Sequence, residues 1–116
     1  GSRWRADACK VLEKPLNDAG LALVNSAQNG DAANIADTYT TFATTYEEAS
    51  KKITNKEIKE SVDQVAAGWR AAADNSGVLK ADPMSMDVQK LEEYQKIMED
   101  LSAKQTELFN KCGYQH

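Results

Sequence analysis

With 116 residues and 41% hydrophobic content, the chain has apolar material for one modest core and none left over for a second. Its 14 Lys and Arg are set against 18 Asp and Glu, interspersed with no basic block, which argues against a phosphate-binding surface and so against nucleic acid as a partner. No stretch approaches the roughly eighteen consecutive apolar residues of a membrane span, the longest being short pieces such as "LALV".

The leading Gly1-Ser2 reads as a scar of tag removal, so the expectation is one domain over 3–116, with an export signal or lipid anchor as the kind of segment that would precede Arg3. A first amphipathic helix is predicted from about Arg3 to Gln28, with Trp4, Ala8, Val11, Leu12, Leu16, Ala19, Leu23 and Ala27 on one side and "QNGD" as its stop. Pro15 lacks a backbone donor and its ring crowds the preceding turn, which predicts a kink near Lys14 or two segments in place of one rod.

A second helix follows Gly30, with Asp31 as the expected N-cap and Ile35, Tyr39, Phe42, Tyr46, Ala49 and Ile53 in steps of four and three. Its "TYTTFATTY" favours strand by composition, yet a strand would scatter Tyr39, Phe42 and Tyr46 over both faces, so the period decides for helix. A third helix is predicted to open on a capping box of Thr54 and Glu57, with Ile53 and Ile58 as a hydrophobic staple. It carries Ile58, Val62, Val65, Trp69 and Ala72 and ends at "DNSG", where Gly77 is expected to turn left-handed.

After the loop "NSGVLKADPMS", a fourth helix is expected to start with Asp82 and Pro83, or with Ser85, as its cap. Val88, Leu91, Tyr94, Met98, Leu101, Leu108 and Cys112 form its stripe, with Gln105 as a polar interruption that reads as a register or bundle-end mark, and Gly113 ends it. Four such helices bury their stripes most simply as an all-α, antiparallel, up-down-up-down four-helix bundle.

In that topology the first helix begins where the fourth ends, so Cys9 and Cys112 become neighbours and are expected to form a disulfide, the alternative being two buried thiols. A disulfide points to an extracytoplasmic compartment, secreted or associated with the cell envelope. No Cys-x-x-Cys spacing suggests redox catalysis.

Little in the sequence suggests catalysis. The one histidine is His116, and Cys9, Cys112 and His116 are too few for a zinc site. The acidic pairs Glu47-Glu48, Glu92-Glu93 and Glu99-Asp100 lie mostly off the apolar stripes, lack the Glu-x-x-His partner of a dimetal centre, and read as solvated faces. The expectation is therefore no enzyme, no cofactor and no metal. The aromatic residues offer two readings: core packing, or a cleft in which Tyr39, Tyr46, Trp69 and Tyr94, with Thr38, Thr41 and Thr45 close by, hold a small amphipathic ligand.

An early "DAC", a late "NKCG" and the middle stretch "ITNKEIKESVDQVAAGWRAAA" resemble the small exported helical proteins and lipoproteins of actinobacteria. The resemblance implies a compartment and no particular reaction. The secreted helical hairpins of the WXG type are less similar, since the chain reads "GWR" at 68–70 within a helix and has no Tyr-x-x-x-Asp/Glu signal near its end. The expected function is a non-enzymatic module binding a protein or another envelope component. The alternative is a carrier of a small apolar or amphipathic ligand in an interhelical cavity.

Overall fold

The computed structural model describes residues 2–28, 35–80, 84 and 87–113. Among these it is all-α: α1 (Ser2–Gln28), α2 (Ile35–Lys51), α3 (Lys56–Asn75), a short 3-10 helix (Ser76–Lys80) and α4 (Val88–Cys112). α2 and α3 run in opposite directions, as do α3 and α4, where Leu101 also lies against Gly68. Lys59 reaches Ser50 and Arg70 reaches Glu47 across α2 and α3, while Lys111 reaches Ser61 across α3 and α4. Among the described residues the α2–α3 pair is the most closely packed, α4 lies along α3, and α1 lies along α2 while meeting α4 at few points.

Residues at steps of three and four supply the core. Leu12 from α1, Phe42, Tyr46 and Ala49 from α2, Ile58, Val62, Val65 and Trp69 from α3, and Leu101 and Leu108 from α4 are all buried. Thr38, Ser50 and Ser61 are buried as well, which the apolar pattern alone did not indicate. The threonines of α2 are accommodated locally: Thr40, Thr41 and Thr45 each donate their hydroxyl to the carbonyl four residues back, at 2.7–2.9 Å.

α1 is continuous through Pro15, so two separate segments do not form. The missing proline N–H leaves the Val11 carbonyl without its ordinary intrahelical donor. Trp4, Ala8, Ala19, Leu23 and Ala27 have side chains outside the described residues, as do the "NGD" stop, the Asp31 cap and the Asp82, Pro83 and Ser85 caps.

Three expected helix ends are corrected. α3 is capped by Asn55, whose extended backbone lets Oδ1 accept from the Ile58 N–H at 3.1 Å. Glu57 then stands second in the helix, not third, so the Thr54–Glu57 box does not set the start, although Ile53 and Ile58 are both buried. Gly77 does not turn left-handed: α3 passes directly into the 3-10 helix, and the positive φ among the described residues belongs to Gly113, at 73°. α4 begins one residue after Asp87, whose carboxylate accepts from the N–H groups of Gln89 and Lys90. Val88, expected in the apolar stripe, sits in the first turn and is 65% exposed. Gly113 ends α4 as predicted, donating to the Asn110 carbonyl at 3.2 Å.

Candidate functional site

The first feature is covalent. Cys9 and Cys112 are joined as a disulfide with Cα atoms 5.7 Å apart, closing the start of α1 onto the end of α4. Cys9 and the neighbouring Leu12 are buried in the common core, with Val11 and Leu16 packed against it. Among the described residues α1 and α4 otherwise meet at few points, and this bond ties them covalently.

The second feature lies toward the opposite end, about 27 Å along α4 from Cys112 at 1.5 Å per residue. Tyr39 near the start of α2, Trp69 near the end of α3 and Tyr94 near the start of α4 come together there. The two phenol oxygens are 2.9 Å apart, one donating to the other. The Tyr39 ring lies 5.4 Å from the Trp69 ring, centroid to centroid, and Phe42 stacks on Trp69 at 4.5 Å. Burial, then the bond and proximity to Tyr39, push the Tyr94 phenol well above its ordinary pKa, so it stays protonated. Trp69 is only 9% exposed and its indole N–H has no hydrogen-bond partner among the described residues.

Of the four expected cleft residues, the structure brings Tyr39, Trp69 and Tyr94 together, while Tyr46, 1% exposed, is part of the core further along α2. The threonines divide. Thr38 is buried, whereas Thr41 and Thr45 line a separate open groove of about 500 Å³ between α1 and α2, with Thr40 and Thr44, over Val11, Pro15 and Ala49. Sequence reasoning missed this groove, though the doublets Thr40-Thr41 and Thr44-Thr45, one turn apart, were its available signal.

A third feature, also not foreseen, is polar. Ser50 donates to the Asp63 carboxylate and accepts from Lys59 Nζ at 2.8 Å, and the same ammonium donates to the Ser50 carbonyl at 3.0 Å. Lys59 thereby satisfies a carbonyl at the C-terminus of α2, where a cation is favoured, and the cluster holds the α2–α3 connection. The acidic pairs are surface features: Glu47 bonds Arg70 at 2.8 Å, Glu48 lies 3.6 Å from Lys51, and Glu92, Glu93, Glu99 and Asp100 are exposed. Among the described residues no three potential metal ligands converge, and His116 lies outside them. No described helix is long and apolar enough to cross a membrane.

Comparison with known protein families, with curated proteins and with solved structures finds no match to this chain.

Proposed function

We propose that this protein is a non-enzymatic helical-bundle module of an extracytoplasmic compartment, secreted or at the cell envelope, that binds a protein or another envelope component. The observation that carries the compartment is the Cys9–Cys112 bond, since such bonds persist where the surroundings do not reduce them. The resemblance to exported actinobacterial helical proteins agrees with it. Binding is supported by α1, where Leu21 and Val24 are 58% and 50% exposed, three residues apart on the face turned away from Leu12.

Sedimentation of the pure, oxidised protein with isolated cell-envelope material tests this reading. Retention that falls at least about tenfold in Leu21→Glu/Val24→Glu supports it. Equal retention of the variant, or both cysteines of the native protein recovered as alkylatable thiols, refutes it.

A second reading, carriage of a small ligand, is favoured by one observation: the buried Trp69 indole without an acceptor among the described residues.

A further inference from the structure

The open groove between α1 and α2, about 500 Å³, is within the roughly 300–1,000 Å³ of small-molecule clefts. Val11, Lys14, Pro15 and Asp18, spaced by three and four, form its α1 wall, and the doublets Thr40-Thr41 and Thr44-Thr45 form much of its α2 wall. What a ligand meets there follows from where the hydrogens go. Thr40, Thr41 and Thr45 each spend the hydroxyl hydrogen on a carbonyl of their own helix, so their oxygens offer a ligand only lone pairs. Pro15 has no N–H, and the carbonyl it would have served belongs to Val11 on the same wall. Thr44 differs: its oxygen accepts from Arg70 at 3.5 Å, and its hydrogen has no acceptor among the described residues. The uncharged part of the lining is therefore rich in acceptors and poor in donors.

The charged part favours neither sign. Lys14 and Lys52 stand against Asp18 and Glu48, so the lining is neutral in sum. A carboxylate or phosphate meets the two acids as well as the threonine lone pairs, an ammonium meets both lysines, and a neutral ligand meets no like charge. Val11, Pro15 and Ala49 add apolar area among the polar groups. A sugar ring matches this combination, because each hydroxyl can donate to a threonine oxygen or accept from a lysine while the C–H face covers apolar carbon. An extended peptide is neutral as well, but its successive N–H groups point to opposite sides, so half of its donors would leave the groove.

We propose that the groove between α1 and α2 binds a short neutral saccharide. The threonine oxygens and the Val11 carbonyl accept from its hydroxyls, Lys14 and Lys52 donate to its oxygens, and Pro15 with Ala49 underlies a ring face. The proposal stands apart from the envelope-binding reading, which rests on Leu21 and Val24, and neither of these is among the described lining residues.

Amide chemical-shift titrations of the oxidised protein test it. Maltose, cellobiose and N,N′-diacetylchitobiose are the neutral probes, cellobiouronic acid and deacetylated chitobiose their anionic and cationic counterparts, and acetyl-trialanine amide the peptide. The expected result is saturable binding of at least one neutral sugar, with shifts centred on Val11, Thr41, Thr45 and Ala49, and at least about threefold weaker binding of the charged disaccharides and the peptide. Thr41→Val/Thr45→Val keeps the shape and removes two acceptors, and should weaken that sugar by at least about tenfold. Pro15→Ala returns an N–H to the Val11 carbonyl and should weaken it severalfold with helix content retained. If Thr41→Val/Thr45→Val fails to fold, Pro15→Ala decides the matter.

The proposal is overturned by the absence of saturable binding of every neutral sugar, by a charged disaccharide or the peptide binding within about threefold of the best neutral sugar or more tightly, or by unchanged affinity in either folded variant. None of these outcomes touches the envelope-binding reading, which the sedimentation of Leu21→Glu/Val24→Glu decides separately.

Discussion

Removing the Cys9–Cys112 bond is the perturbation whose magnitude follows most directly from the structure. The two cysteines are 103 positions apart, so the bond closes a loop of nearly the whole chain. For a loop of about one hundred residues the loss of unfolded-chain entropy corresponds to about 4.7 kcal/mol at 25 °C, before any native-state cost. At about 4 °C per kcal/mol for a domain of this size, the expected drop in melting temperature is roughly 15–20 °C. The loss should also be uneven along the chain. Among the described residues α1 packs along α2 and meets α4 at few points, so without the bond its described contacts with the core are those of Leu12, Val11 and Leu16. Thermal melts of the oxidised protein and of Cys9→Ser/Cys112→Ser, paired with amide hydrogen exchange, check both parts. α1 should lose protection first while α2 and α3 keep theirs. A variant melting within a few degrees of the parent, or losing protection uniformly, would refute the reasoning.

Two glycines inside helices should respond in opposite directions to alanine. A Cβ on Gly20 meets nothing within 4 Å, so Gly20→Ala should stabilise by about 0.5–1 kcal/mol; a Cβ on Gly68 lands 2.9 Å from Leu101 Cδ1 and 3.4 Å from its Cβ in the core, and Gly68→Ala should destabilise by about 1 kcal/mol net of the helix gain, both read from urea midpoints. The buried Oε1 of Gln105 has no hydrogen-bond partner among the described residues, so Gln105→Leu should stabilise by about 1 kcal/mol in the same assay, and destabilisation would show that the amide is satisfied. Tyr94 titrates higher folded than unfolded, so its contribution is complete below its ordinary value of 10.0 and is lost as pH rises above it; urea midpoints at pH 8 and 11 should fall less in Tyr94→Phe than in the parent, and equal falls would contradict that.

The four helices and most of their buried faces were legible because a period near 3.6 survives poor local propensity. "TYTTFATTY" is helical because Phe42 and Tyr46 must reach one core, and the threonine hydroxyls bond back to their own helix at little cost. Helix ends were less legible. Thr54 and Asn55 are both good caps in sequence, and only the extended backbone at Asn55, with Ile58 positioned to donate to it, chose between them. Gly77 and Gly113 look equally able to end a helix, but a 3-10 turn continues through the first and only the second turns left-handed.

For the candidate sites the division is similar. Pairing of Cys9 with Cys112 needed only the parity of four helices, which returns the chain's end to its beginning. The aromatic cluster was half legible. Period placed Tyr39, Tyr46, Trp69 and Tyr94 on inward stripes, but a stripe does not say which rings share a level.

What the amino-acid sequence determined by itself is local and periodic: helix type, inward faces and the meeting of the two cysteines. Those depend on residue spacing along one chain segment or on the number of helices. The axial level at which helices meet was decided by tertiary packing. It separates Tyr46 from the Tyr39–Trp69–Tyr94 cluster, opens a threonine-lined groove beside Pro15 and leaves the Trp69 indole without an acceptor among the described residues. The physical reason is that burial and hydrogen-bond satisfaction depend on atoms brought together from distant segments, and sequence spacing carries no information about their relative height.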